Sequence, residues 1–360
     1  MKKYFKKKIK FKYKDNTMHI GFIIANWGKM DPLTNSSLTI IKECIVRGHI
    51  VSILYTDNLT VRNNVVHGFI ETIQPMDKIP DNITSFHKKV TFDKKLRALH
   101  VFDCMMIRKD PPINPLVLNF LDAIKDEVVM VNDVDGIRKA NNKLYTTTFH
   151  DPHNTYLPMT HVSGSKGYIN RIIDESEAEK MILKPLDGSG GRGVIVLEKN
   201  ARSNINSLLD FYIDESGDNY VILQEYIEGA EEGDVRVLML NGKFIGAYNR
   251  KPAEGEIRAN IQTGGTAHRY KMTDSQMRVC KKVGTKLVAD GLYFVGLDMI
   301  GDKILEVNVL NPGGITNINK LEKVKLQKQV VDFLEDRVDA KAEKRVELEY
   351  LLKRFSELRE

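Results

Sequence analysis

The 360-residue chain lacks two features that secreted and membrane-embedded proteins commonly have, many cysteines and a long apolar run. Its three cysteines, Cys44, Cys104 and Cys280, are scattered without CxxC spacing, which argues against a disulfide framework or a zinc site. No uncharged apolar run approaches the roughly 18 residues that span a bilayer, and the N-terminus lacks the apolar core and cleavage site of a secretory signal. We therefore expect a cytoplasmic protein without a membrane span, whose cysteines are small buried residues.

Positive charge is concentrated at one end of the chain. The first 17 residues hold eight lysines and one aspartate, a net charge of +7, whereas the whole chain carries +6. Everything from Met18 onward therefore sums to −1. The basic arm 1–17 is either solvated or touches RNA or a membrane, and we favour the solvated alternative, with no specific nucleic-acid partner. Translation from Met18 is an open alternative because a predicted strand follows it directly.

The first part of the chain has the pattern of a parallel α/β layer. Buried strands are predicted at 19–25, 50–55, 101–107 and 128–131. A helix predicted from about 36 to 47 connects the first two strands in a βαβ unit. A chain of this length favours two or three domains, and we expect a Rossmann-like domain over 18–140.

The second part reads as strands and loops with a glycine-rich turn at 187–193. No helix is predicted to open on the last glycine, which excludes the dinucleotide-binding fingerprint, and no GxxxxGK[ST] loop occurs in the sequence. Strands are predicted at 181–186, 194–197, 220–224, 235–240, 243–249, 294–300 and 303–309. The last two form a hairpin about Gly301-Asp302, and from about Leu321 the pattern is that of an amphipathic helix or helix pair.

Three acidic or amide side chains on this hairpin are candidate metal ligands. Glu306 and Asn308 are two residues apart and point to one face of the sheet, and the hairpin places Asp298 opposite them. Two carboxylates and an amide oxygen suit Mg²⁺, which completes its coordination with phosphate and water. An acidic surface hairpin is the alternative, which the apolar neighbours of these residues weaken because buried charge is costly.

The glycine-rich turn is a candidate phosphate cradle. Its glycines allow backbone N–H groups to approach phosphate oxygens, and Lys184 just before it supplies a positive charge. Alone, the turn is equally typical of a flexible surface hairpin. Together with the acidic hairpin it favours a nucleotide site, because nucleotide phosphates need both donors and a metal.

Three arginines are candidate anion-binding residues. Arg236 alternates with Asp234 on one strand, Arg250 ends the next strand, and Arg258 lies in the glycine-bearing segment 249–265, which is typical of a mobile lid. The guanidinium group binds carboxylates and phosphates through two parallel hydrogen bonds. Any one of these arginines, taken alone, is more often a partner in a surface ion pair.

Six segments together resemble bacterial glutathione synthetase, a member of the ATP-grasp superfamily. The resemblance extends from Met18 to the early 320s, and the first and fifth segments are more specific to this family than to ATP-grasp proteins at large. The segments are IRKDPP (107–112), NNKLYT (141–146), ILKPLDGSGGRG (182–193), GDVRVLMLNGK (233–243), NRKPAEGEIRANIQTGG (249–265) and FVGLDMIGDKILEVNV (294–309).

The resemblance implies a fold of the α/β and α+β classes. An ATP-grasp fold would follow the N-terminal substrate-binding, Rossmann-like domain with its parallel sheet. Its lid subdomain would span 141–227 and its catalytic subdomain 228–322, with a helical extension over 323–360. The implied activity is that of an ATP-dependent ligase, in which the γ-glutamylcysteine carboxylate attacks the ATP γ-phosphate and the amine of glycine then displaces phosphate. A homo-oligomer, tetramer or dimer, is also implied.

The same resemblance assigns roles to individual residues. Arg236 and Arg250 would grip the peptide substrate and Arg258 would stabilise the transition states. Asp298, Glu306 and Asn308 would hold two Mg²⁺ ions, with Mn²⁺ as an alternative. ATP phosphates would contact Lys143, Lys184 and the loop Asp187, Gly188, Ser189, Gly190, Gly191, Arg192 and Gly193. The adenine hinge would be Glu225, Tyr226 and Ile227, with Glu228 near the ribose.

Two departures from the family pattern keep the substrates open. The segment 310–314 reads LNPGG where the family usually has threonine-serine-proline, which leaves the identity of the amine in question. The loop from Asn26 to Ser37 keeps the paired serines Ser36-Ser37 but lacks the usual charged residues before them, which leaves the identity of the dipeptide donor in question. The alternatives are an ATP-grasp peptide ligase with a different amine acceptor and a catalytically silent ATP-binding subunit whose C-terminal helix docks a partner.

Overall fold

The computed structural model describes residues 17–186, 191–213, 219–253 and 264–357. These residues form two compact units. The described parts of the first unit are 17–110, 114–134 and 324–357, and those of the second unit come from 111–113 and 135–323. Among the helices in these ranges, none is both long and apolar enough to cross a bilayer.

The first unit is built on one seven-stranded sheet in the order β3-β4-β2-β1-β6-β7, with β5 paired to β4. Its strands are β1 (His19–Ile24), β2 (Ile50–Leu54), β3 (Leu59–Arg62), β4 (Val65–Ile73), β5 (Phe92–Ala98), β6 (Cys104–Arg108) and β7 (Val129–Val131). Its first helices are α1 (Ser36–Val46), α2 (Ile83–Lys89) and α3 (Pro115–Asp122). Strand β1 pairs in parallel with β2 and β6, and β6 with β7, so the predicted parallel layer is confirmed.

Strands β3, β4 and β5 extend this layer with antiparallel pairs that the sequence patterns did not indicate. The turn between β3 and β4 is Asn63-Asn64, with φ angles of 50° and 63°. Positive φ at both central residues is typical of the tight hairpin turn that asparagine tolerates. The strand predicted at 101–107 begins only at Cys104, because residues 99–101 form a 3-10 turn.

The second unit contains two antiparallel sheets. The four-stranded sheet has the order β10-β9-β11-β8, and the five-stranded sheet the order β14-β13-β12-β15-β16. The strands are β8 (Thr160–Ser163), β9 (Lys180–Pro185), β10 (Ile195–Glu198), β11 (Val221–Glu225), β12 (Asp234–Leu240), β13 (Lys243–Lys251), β14 (Thr266–Arg269), β15 (Phe294–Ile300) and β16 (Lys303–Asn308). The predicted hairpin about Gly301-Asp302 joins β15 to β16.

Helices cover parts of both sheets. They are α4 (Val134–Ala140), α5 (Lys166–Glu175), α6 (Arg202–Tyr212), α7 (Asp274–Ala289) and α8 (Ile315–Glu322). Leu183 and Leu223 of the four-stranded sheet point into an apolar cluster with Ile169 of α5 and Leu209 of α6. Because side chains alternate along a strand, the neighbouring residues of β9 and β11 point to the opposite face. That face is the one that carries the polar residues of the site.

The last helix, α9 (Leu326–Glu357), belongs to the first unit. It packs on α1 through buried Val330, Val331 and Leu334. The Arg47 guanidinium pairs with Asp332 at 2.6 Å, and His49 Nε2 lies 2.9 Å from Glu335. The predicted C-terminal helical extension is therefore present, and its first half is part of the core of the first unit.

Candidate active site

Lys184 is a buried cation of the four-stranded sheet. It is only 7% exposed, and its Nζ donates a hydrogen bond of 2.8 Å to Gln224 Oε1 on the adjacent strand β11. Gln224 Nε2 in turn donates to Thr160 Oγ1 at 2.8 Å. The position of the Lys184 ammonium group is thus fixed by hydrogen bonds that run through two neutral side chains, Gln224 and Thr160.

Burial lowers the pKa of the Lys184 ammonium group to about 8. The carboxylates of Glu306 and Asp298 act against this shift, whereas the charge of Lys143 adds to it. A phosphate group beside Lys184 would favour its charged form further. Lys143, Lys184, Asp298 and Glu306 are thus close enough for their charges to interact.

The hairpin β15–β16 carries the three candidate metal ligands. Asp298 lies directly opposite Glu306 in the strand register, and Asn308 Nδ2 donates to Asp298 Oδ2 at 3.2 Å. All three side chains therefore share one face of the five-stranded sheet. The sequence spacing predicted that Glu306 and Asn308 point to the same face with Asp298 opposite them, and the strand register has this arrangement.

Two arginines of the same sheet hold Asp298. Arg236 forms a bidentate pair with it, with distances of 2.5 Å from Nε to Oδ1 and 3.0 Å from Nη2 to Oδ2. Arg250 Nη2 lies 3.0 Å from the second oxygen. Arg250 also forms a bidentate pair with Asp234, at 2.6 and 2.5 Å. The register explains this network, because Asp234 is opposite Arg250 and Arg236 is opposite Asp298.

The pKa values of Asp298 and Glu306 are shifted in opposite directions. Burial alone would raise the pKa of Asp298, but Arg236 and Arg250 outweigh it and hold that pKa well below its usual range. Burial raises the pKa of Glu306, and the negative charge of Asp298 raises it further, while Lys143 and Lys184 counteract both. A buried carboxylate beside a second carboxylate is an environment that a cation stabilises.

The donor set therefore fits a divalent metal ion. Two carboxylates and one amide oxygen are hard ligands of the kind Mg²⁺ takes, and too few to fill its six positions, which leaves room for phosphate oxygens and water. Among the described residues, Asp298 Oδ1 accepts one hydrogen bond, from Arg236 Nε, which leaves one of its roughly two lone-pair directions for a metal ion. Its pairing with arginine is compatible with metal ligation.

The predicted adenine hinge follows β11. Glu225 donates its backbone N–H to the Met159 carbonyl oxygen at 2.9 Å, and its carboxylate pairs with Lys303 of the hairpin at 3.3 Å. Tyr226 donates its hydroxyl to Glu231 at 3.0 Å, the Ile227 carbonyl accepts a turn hydrogen bond from Ala230, and Glu228 is exposed. Lys303 thus joins the hinge to the five-stranded sheet.

The glycine-rich loop and the arginine lid are only partly described. Gly193 has a φ of +71° and accepts a hydrogen bond from the Tyr212 hydroxyl at 3.1 Å, with Gly191 and Arg192 before it. Asp187, Gly188, Ser189, Gly190 and Arg258 lie outside the described residues. Their predicted roles stay predictions.

Most of the residues that contact the candidate site residues were not indicated by the sequence. Gln224 accepts a hydrogen bond from Lys184 and donates one to Thr160. Lys303 forms an ion pair with Glu225, and Asp234 forms one with Arg250. Only Asp234 had a local signal, its alternation with Arg236. The others are single polar residues whose partners are distant in the chain, so only the strand pairing identifies them.

The candidate metal ligands Asp298, Glu306 and Asn308 and the arginines Arg236 and Arg250 lie within a region that matches a family model. Residues 18–138 match the family model described as prokaryotic glutathione synthetase, N-terminal domain, and residues 142–323 match that of its ATP-grasp domain. Glutathione synthetase of Synechococcus elongatus is 33% identical over 327 residues, which is 88% of this chain and 98% of that protein. Glutathione synthetase of Synechocystis sp. is 34% identical over 327 residues, 88% of this chain and 99% of that protein.

Solved structures support the fold. A D-cycloserine synthetase has a TM-score of 0.59 at 13% identity, covering 90% of this chain and 99% of that one. The D-alanine–D-alanine ligase of Coxiella burnetii has a TM-score of 0.56 at 12% identity, covering 95% and 100%. The predicted ATP-grasp fold is thereby confirmed, and the chain belongs to the prokaryotic glutathione synthetase family.

Proposed function

We propose that this protein is an ATP-dependent carboxylate–amine ligase of the glutathione synthetase type. It would activate the carboxylate of γ-glutamylcysteine as an acyl phosphate and join it to glycine, with release of ADP and phosphate. One observation carries the proposal: buried Lys184 and the network of Asp298, Glu306, Arg236 and Arg250 share one site. Family membership supports the same activity.

The chemistry needs no nucleophilic side chain. A carboxylate oxygen of the donor attacks the γ-phosphorus of ATP, the bond to the ADP oxygen breaks, and the acyl phosphate forms. The amine then attacks the acyl carbon, the bond to the phosphate oxygen breaks, and the amine loses a proton. Positioning and charge neutralisation account for the rate acceleration of such steps.

Each side chain has a proposed part in these steps. Lys143 and Lys184 bind ATP phosphates, together with the loop 187–193, and the hinge 225–227 binds adenine, with Glu228 near the ribose. Arg236 and Arg250 orient the donor, and Arg258 stabilises the transition states.

The proposed metal site consists of Asp298, Glu306 and Asn308, which would hold two Mg²⁺ ions, with Mn²⁺ as the alternative. When bound, the ions neutralise charge that develops on the transferred phosphoryl group.

A related ligase with a different amine acceptor is the second candidate. Its support is the segment 310–314, which lies against Arg236, because Arg236 Nη1 donates to the Gly313 carbonyl at 3.3 Å. Gly314 has a φ of +129°, and a Cβ there would be 2.9 Å from Tyr248. The backbone of this segment thus needs glycine at a position beside the predicted substrate arginine.

Phosphate release separates these candidates. The protein is incubated with ATP, Mg²⁺ and γ-glutamylcysteine, alone and with a panel of amino acids. Glycine-dependent release with a tripeptide product is expected. Release that depends on another amine supports the second candidate. Absence of release with the whole panel supports a silent ATP-binding subunit and overturns both ligase proposals.

A cytoplasmic location and a dimeric or tetrameric homo-oligomer are proposed with the same function. The first is tested by fractionation of cells that produce the protein. Light scattering of the purified chain tests the second, and a monomeric mass at working concentration would contradict it.

A further inference from the structure

Asp290 lies outside the candidate active site. Its carboxylate is contacted by residues from three elements of the second unit. Asp290 follows α7, and its Oδ2 accepts hydrogen bonds from Lys286 at 2.8 Å and from the Tyr145 hydroxyl at 2.7 Å. Its Oδ1 accepts one from Lys139 of α4 at 2.5 Å. Burial alone would raise the pKa of Asp290, but these three donors lower it to about 2, so the group is ionised at any working pH.

The backbone at this point is packed as closely as the side chains. A Cβ placed on Gly136 of α4 would lie 2.3 Å from the Asp290 carbonyl oxygen. Helix α4 therefore lies directly against the end of α7, and any residue larger than glycine would force them apart. The carboxylate has little freedom to move.

Tyr145 connects this carboxylate to the site. It lies in the 3-10 turn Lys143–Thr148, is 1% exposed, and stacks edge-on against Phe149 at 5.3 Å. Lys143 is the first residue of the same turn, and its backbone N–H donates to the Leu186 carbonyl at 3.3 Å. Asn142 caps the turn by accepting a hydrogen bond from Leu144 at 3.0 Å.

Lys143 acts on the site through its charge. Its positive charge lowers the pKa of both Lys184 and Glu306. The turn that begins with Lys143 also packs against β16, the strand of Glu306. The position of Lys143 relative to the metal ligands is therefore determined by where this turn is held.

We infer that Asp290 and Tyr145 are positioning residues for the ATP phosphates, acting through the turn that carries Lys143. The buried hydrogen bond between Tyr145 and Asp290 fixes the position of the 3-10 turn. That turn fixes the position of the Lys143 ammonium group in the site. Neither residue contacts the reacting atoms. The inference rests on the proposed function, since it assumes that Lys143 binds phosphate.

The test is a double-mutant cycle on the full-length protein. Tyr145→Phe, Asp290→Asn and Lys143→Met are made singly, and each of the first two is combined with the third. Kinetics are measured with ATP varied and then with each other substrate varied, and the melting temperature is recorded. Tyr145→Phe removes one oxygen, so its fold is kept even where Asp290→Asn lowers expression.

Tyr145→Phe is expected to raise KM for ATP about tenfold or more, the size of one lost hydrogen bond to a charged group. KM for the donor and for the amine should stay unchanged. In the Lys143→Met background the same substitution should have almost no further effect, because the group it positions is gone. A merely structural role would give equal effects in both backgrounds.

Tyr156→Phe is the matched control. Tyr156 is also buried and also donates its hydroxyl to one partner, the His150 carbonyl at 2.5 Å, outside the turn. It should leave KM for ATP unchanged.

Two results would overturn the inference while the ligase proposal stands. They are additivity of Tyr145→Phe with Lys143→Met, and a Lys143→Met enzyme with normal KM for ATP. Loss of ligase activity in the wild-type protein would instead contradict the proposed function.

Discussion

The two sheets of the second unit handle buried charge in different ways. In the five-stranded sheet, Arg236 and Arg250 are paired with Asp298 and Asp234 by short, mostly bidentate contacts. In the four-stranded sheet, Lys184 is hydrogen-bonded to a neutral amide. The first sheet brings its own counter-charges, whereas the second has a cation whose pKa is already lowered to about 8.

The two arginines are thus held in place by carboxylates of their own sheet, whereas Lys184 is hydrogen-bonded to a neutral group. Breaking a buried pair leaves one charge uncompensated and costs more than losing an exposed one. A lone buried cation, in contrast, gains from an incoming anion. We therefore expect substitutions in the five-stranded network to affect both stability and chemistry, and substitutions at Lys184 to affect mainly nucleotide binding.

The largest effect is expected at Glu306, and it differs from the effect expected at Asp298. Glu306→Gln should lower kcat about a thousandfold, because it removes charge that a metal at the phosphoryl group needs. Folding should be unaffected, because burial and Asp298 already disfavour the ionised Glu306. Phosphate release and thermal unfolding measure the two effects. Near-normal kcat would contradict the metal assignment.

Asp298→Asn is the companion to that variant. It should lower both kcat and the melting temperature, because two buried arginines lose their shared partner. Equal stability of the two variants would show that the arginine network does not need Asp298.

The second prediction concerns Asp234. Asp234→Asn should lower the free energy of unfolding by about 3 kcal/mol, since Arg250 is only 4% exposed and loses a bidentate partner. The matched control is Asp210→Asn, which breaks an ion pair of 2.7 Å with Lys166 in which Asp210 is 68% exposed. Denaturant unfolding should detect almost no change in the control. A similar loss in both would contradict the contrast between buried and exposed pairs.

The third prediction is a pH dependence of ATP binding. Burial holds the pKa of Lys184 at about 8, so its charge is present below that pH and lost above it. KM for ATP should therefore rise between pH 7 and pH 9, by about tenfold if Lys184 supplies the charge alone. In Lys184→Met the KM should be high and independent of pH over this range. A wild-type KM that stays constant to pH 9 would show that the group remains protonated.

The smallest expected effect is at the contact between the hinge and the hairpin. Glu225→Gln removes a partly exposed ion pair with Lys303, with 28% and 23% of the two side chains accessible. Such a pair contributes about 1 kcal/mol or less, so KM for ATP should rise no more than about fivefold. A larger increase would mean that the Glu225 carboxylate itself contacts the nucleotide.

Local sequence patterns were enough to predict those elements whose pattern is contained within a few consecutive residues. The period of two along β16 placed Glu306 and Asn308 on one face, and the turn Gly301-Asp302 brought Asp298 opposite them. Buried apolar runs identified β1, β2 and β6, because a strand covered on both faces is apolar throughout. The motif segments were enough to indicate the family.

Contacts between distant parts of the chain came only from the tertiary structure. Tyr145 and Asp290 are 145 residues apart, and Gln224 reaches Lys184 across 40 residues. Helix α9 returns to α1 over a separation of almost 290 residues, as the bond between Arg47 and Glu335 illustrates. A single tyrosine or glutamine has the same local pattern whether it is exposed or hydrogen-bonded to a buried charged group. Sequence alone therefore determined the chemistry of the candidate site, whereas the positions of its supporting groups depended on long-range packing.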